Sequence, residues 1–159
     1  MARHFKPVWQ EPPRALANGV TALSQMKPPV SLELVWEHDL VFGGRSGDVS
    51  MILDSAAAAG PSPLQALAFG LAGCMAMDVV HILLKGRHGL RGLKVMLAGE
   101  RAQENPHRFT AFTVEFAVTG PVPKDQIQRA IDLSHEKYCS VWHSLRQDIT
   151  LDSRFTVSE

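Results

Sequence analysis

Ser62-Pro63-Leu64-Gln65-Ala66-Leu67-Ala68-Phe69-Gly70-Leu71-Ala72-Gly73-Cys74-Met75-Ala76-Met77-Asp78-Val79-Val80-His81-Ile82-Leu83-Leu84-Lys85-Gly86 is the stretch on which the architecture turns. It opens with three helix signals. Ser62 offers a capping hydroxyl, Pro63 takes the first helical position where a missing N–H does no harm, and Gln65 completes a capping box. Leu64, Leu67, Ala68, Leu71, Ala72, Met75, Val79, Ile82 and Leu83 make the helix apolar nearly all round. Gly86 ends it, with Lys85, Arg87 and His88 complementing the dipole. A helix with so little polar surface must be covered, and it is expected at the centre of the fold. The uncharged run from Ser55 to Met77 invites a membrane reading. Pro61 and Pro63 cut it, however, and the remainder, Leu64 to Met77, is too short to cross a bilayer.

Working outward toward the N-terminus, Leu32, Leu34 and Trp36 alternate as one strand, Leu40 and Phe42 begin a second, and Val49, Met51 and Leu53 mark a third. Gly43-Gly44-Arg45-Ser46-Gly47 reads as the hairpin tip between the last two. On the other side of the helix, Leu93 to Ala98 and Phe109 to Val118 read as long strands, turning at Asn105-Pro106. Phe112, Val114, Phe116 and Val118 alternate there with Thr113, Glu115 and Ala117. Pro123 opens a second helix with Ile127, Ala130, Ile131 and Leu133 to Ser134 on one face, and it reaches Tyr138 and Cys139. A helical turn from Ser140 to Leu145 and a strand from Ile149 to Val157 complete the chain. The order predicts an α+β fold, with antiparallel sheets wrapped around a long buried central helix. Residues 1–29, with five prolines and little periodicity, read as an extended arm, and 30–159 as one domain.

A chain of 159 residues that is 45% hydrophobic can bury a core without covalent staples. Its 16 basic residues balance 16 acidic ones, which argues against nucleic-acid and membrane-surface partners and for small or apolar ones. Met1 to Pro13 contains no apolar signal region, so a cytoplasmic location is expected. In that reducing compartment the two cysteines, Cys74 and Cys139, should be free thiols or a transient disulfide. Cys74 lies too far into its helix for the N-terminal dipole to activate it. Asp78 and His81 share its face, which suits a Cys-His-Asp nucleophile. The same trio, with Cys139 and His143 as a second pair, also has metal-ligand chemistry, although no CxxC or HExxH accompanies it. A small buried hydrophobe is the third reading of Cys74, and spacing leaves all three open. His4, His38, His88, His107 and His135 read as solvated or capping residues.

Gly60-Pro61-Ser62-Pro63-Leu64-Gln65, Ala72-Gly73-Cys74, Met77-Asp78-Val79-Val80 and Glu136-Lys137-Tyr138-Cys139-Ser140-Val141 together resemble the OsmC/Ohr family of osmotically inducible and organic hydroperoxide resistance proteins. The resemblance runs from about Val30 to the C-terminus. It implies an intertwined homodimer whose sheets enclose paired central helices, with the active site at the subunit interface. It further implies thiol-dependent reduction of organic hydroperoxides, with Cys74 as the peroxidatic and Cys139 as the resolving cysteine. No bound cofactor or metal is implied, only an external dithiol reductant. Family peroxidases pair the reactive thiolate with an arginine that a glutamate holds; Arg45 resembles that arginine, whereas Leu64, followed by Gln65, stands in the glutamate's place. The chain thus resembles an OsmC-like branch lacking the usual carboxylate. The alternative expectation is a redox-responsive or small-apolar-ligand binding protein without efficient turnover.

Overall fold

The computed structural model of the protein describes residues 27–159, so the arm expected over 1–29 lies almost wholly outside the described residues. The alternating runs of the first third form one antiparallel sheet, sheet A, from β1 (Glu33–His38), β2 (Val41–Ser46) and β3 (Val49–Asp54) in chain order. Its last turn is tighter than the glycine run suggests. Gly43, Gly44, Arg45 and Ser46 are paired strand residues, and only Gly47 and Asp48 turn, because Gly47 at φ +58° supplies the left-handed backbone that a two-residue hairpin requires.

The buried Asp54 organises the passage from β3 into the long helix. Its carboxylate accepts the backbone N–H groups of Ala59, Ala56 and Ala58 at 2.9, 2.8 and 3.0 Å, and these bonds hold it below its ordinary range. Gly60 then passes so close to β3 that a side chain there would strike the Ile52 carbonyl. The helix, α1 (Pro63–Lys85), begins with the expected reciprocal cap: Gln65 N–H donates to Ser62 Oγ at 3.3 Å and Ser62 N–H donates to Gln65 Oε1 at 2.9 Å. It ends at Gly86, but the left-handed residue is Arg87, one position later.

Sheet B contains β4 (Gly92–Arg101), β5 (Phe109–Thr119) and β6 (Thr150–Ser158), in that order. β4 and β5 pair antiparallel, whereas β5 and β6 are parallel, which corrects the expectation of purely antiparallel sheets. The reason is the connection. Between β5 and β6 the chain forms α2 (Lys124–Leu133), a π-helical turn (Ser134–Tyr138) and α3 (Ser140–His143), a crossover that returns it to run beside β5 in the same direction. Phe112, Val114, Phe116 and Val118 of β5 are fully buried in one core with Ile127, Ala130 and Ile131 of α2 and with Leu71, Met75, Val79 and Leu83 of α1.

By length and composition α1 is apolar enough to cross a bilayer, with a mean hydropathy of 2.0, yet this four-residue stripe is packed as a core helix. The described residues do not cover the helix all round: Phe69, Met77 and Leu84 are exposed. Among the described residues, sheet A touches the other elements chiefly where β3 meets α1, and Leu34, Val35, Trp36, Val49 and Met51 are exposed on it.

Candidate functional site

Helical spacing sets Asp78 one turn beyond Cys74 on α1. Cys139 reaches the same place from the crossover. There the backbone widens into the π-turn, in which Cys139 N–H donates to the Ser134 carbonyl at 2.9 Å. Cys139 then caps the short α3, its Sγ accepting Trp142 N–H at 3.4 Å. The two approaches converge. A ligand atom from each of Cys74, Asp78 and Cys139 lies within 4.8 Å of the others, and both thiols are free. Cys74 is half-buried, Cys139 and Ser134 are fully buried, and the Ser134 hydroxyl donates to Asp78 Oδ2 at 2.8 Å.

Burial pushes the Cys139 thiol up to about 12; the Trp142 amide opposes this, while Cys74 and Asp78 reinforce it. The fold therefore favours the neutral thiol. The stability this contributes is fully present below the ordinary value of 9.0 and is lost as pH rises through about 12. In the folded protein at about pH 8, iodoacetamide is expected to leave Cys139 unlabelled and to modify it only after denaturation, as peptide mass mapping would show. Labelling of Cys139 at the rate of a free thiol would contradict its burial.

The structure rearranges the Cys74-Asp78-His81 trio. His81, seven residues along α1, is displaced about 10 Å down the helix axis. It lines a neighbouring 690 Å³ cleft with Asp78, Lys85, His88, Arg129 and Tyr138. His143 is exposed and outside the cluster, so Cys139 takes the place that a histidine held in the sequence pattern. Two thiols and a carboxylate at these separations also have the chemistry to ligate one thiophilic divalent cation.

Arg45 is brought elsewhere within the protomer. It is an exposed residue of β2, in register with Glu33 and Ser50, and borders an apolar groove with Leu32, Leu34, Val49, Met51 and Leu53. Among the described residues it forms no ion pair. Leu64 is half-buried, and the Gln65 side chain is committed to the helix cap. The sequence sets Ser134 on the apolar face of its helix but carries no sign of its bond to Asp78, 56 positions away, because Ser134 belongs to no motif.

A sequence model of OsmC-like proteins matches residues 55–154. Protein YhfA of Escherichia coli strain K12 is 38% identical over 121 residues, which cover 76% of this chain and 83% of YhfA. A hypothetical protein from Aquifex aeolicus superimposes with a TM-score of 0.77 at 24% identity, over 83% of this chain and 98% of that one. The organic hydroperoxide resistance protein OsmC from Legionella pneumophila superimposes with a TM-score of 0.60 at 13% identity, over 85% of this chain and all of that one (100%). At such identities the two structures report the fold.

Proposed function

The chain belongs to the OsmC-like protein family, and from that premise we propose that it reduces organic hydroperoxides through Cys74 and Cys139. One observation carries the reading: two sulfurs from separate elements lie within 4.8 Å, one half-buried and the other fully buried. This division suits two roles. The Cys74 thiolate attacks the O–O bond, becomes a sulfenic acid and expels an alkoxide, which takes the proton that Cys74 lost on ionising and leaves as the alcohol. The Cys139 sulfur then attacks Cys74 Sγ, forming a disulfide and expelling the oxygen as water. An external dithiol reductant of the cytoplasm resets the pair.

A homodimer completes the proposal. Phe69, Met77 and Leu84 on α1, and Leu34, Val35 and Trp36 on sheet A, are large apolar side chains exposed among the described residues, and an apolar face of that kind ordinarily marks an interface. A second copy would cover it and would bring its own Arg45 toward Cys74, where a guanidinium stabilises a thiolate.

The test is a thiol count on the reduced protein after one equivalent of cumene hydroperoxide. Loss of both thiols with one alcohol released is the expected result; retention of both under excess peroxide rules the activity out. Among the described residues Arg45 borders the groove on sheet A and does not join Cys74, Asp78 and Cys139, and Leu64 stands in the glutamate's place; both favour a second reading as a redox-responsive protein. That reading predicts one oxidation but no sustained turnover when dithiothreitol is added.

A further inference from the structure

We propose that Asp78 is the general base that takes the proton from Cys139 when Cys139 attacks Cys74. This deepens the reading above. The need for a base arises from burial: Cys139 has no solvent contact, and a thiol enclosed in apolar surroundings does not ionise by itself near neutral pH. One group is in position. The Asp78 carboxylate lies within 4.8 Å of both sulfurs, within reach directly or through one water, and no histidine nitrogen joins that set among the described residues.

Ser134 supports the assignment from two directions. Its hydroxyl holds Asp78 Oδ2 at 2.8 Å, and its carbonyl accepts Cys139 N–H at 2.9 Å in the π-turn, so a single buried residue fixes acceptor and donor relative to each other. Asp78 also lines the 690 Å³ cleft, so the carboxylate stands between the cysteine pair and an open space. In the proposed step the Cys139 proton passes to Asp78 as the S–S bond forms and the Cys74 S–O bond breaks. Asp78 then delivers that proton to the departing hydroxide, and one water leaves. The carboxylate ends as it began.

The test reads the Cys139 attack without relying on peroxide. Cys74 is converted to a mixed disulfide with thionitrobenzoate in the presence of a chelator, and release of that group follows the attack by Cys139. Cys139→Ser sets the zero. With Asp78→Asn, whose side-chain oxygen still accepts from Ser134, release is expected to slow by about 100-fold. Ser134→Ala, which keeps the carboxylate but loosens its aim, is expected to slow release by about 10-fold. The sign of the Asp78→Asn effect is decisive. An aspartate that merely repels a developing thiolate would, when neutralised, leave a faster attack; an unchanged or faster release therefore overturns the proposal. A normal release rate in a protein that ignores hydroperoxides would overturn the peroxidase reading alone and leave the Asp78 result standing.

Discussion

Cys74→Ser is expected to reduce hydroperoxide consumption to the uncatalysed background, whereas Cys139→Ser should preserve the first encounter and lose turnover. The asymmetry follows from where the two thiols sit. Cys74 is half-buried on α1 and accessible to a substrate, while Cys139 is sealed between the π-turn and Trp142. A serine at position 74 removes the only accessible sulfur of the pair, and a hydroxyl group cannot accept oxygen from a peroxide as sulfur does. In the Cys139→Ser protein, Cys74 should still be oxidised but remain as sulfenic acid, with no thiol to condense with. Trapping with dimedone and intact mass would show one adduct per chain in Cys139→Ser and none in Cys74→Ser. Equal adducts in both variants would mean that the assigned order of attack is wrong.

Phe116→Ala is expected to destabilise the protein by about 3–5 kcal/mol, the range for deleting a large aromatic from a packed core. Phe116 is fully buried at the middle of β5, flanked on the same face by Val114 and Val118, in the core that α1 and α2 share. The cavity would lie beneath the two helices that carry Asp78 and lead to Cys139. Urea unfolding should show a lower midpoint with an unchanged slope, provided the folded and unfolded ensembles keep their compactness. A loss below about 1 kcal/mol would mean that the site collapses around the missing ring.

The residues from Ser62 to Gly86 carry local chemistry, and for that reason the helix start was legible to the residue. Ser62, Pro63 and Gln65 act within one turn of each other, and the capping box forms as read. Alternation likewise identified the buried face of β5, because side chains on a strand take opposite sides whatever lies beyond. Arg45 was misplaced at a turn because glycine is compatible with both turns and strands, and only cross-strand pairing separates the two. The parallel pairing of β6 was hidden for a related reason: a strand's neighbour and direction depend on the route of the intervening chain.

For the candidate site, the sequence alone determined the two thiols, the membership of Asp78 in the Cys74 face and the helix that carries them. All are set by helical periodicity or by residue identity. The tertiary structure decided that Cys139 and not His81 completes the group, that Ser134 holds Asp78, and that one thiol is half-buried and the other sealed. Those outcomes depend on a π-turn that shifts Cys139 against α1, and on contacts between elements far apart in the chain, where spacing along a single helix carries no information.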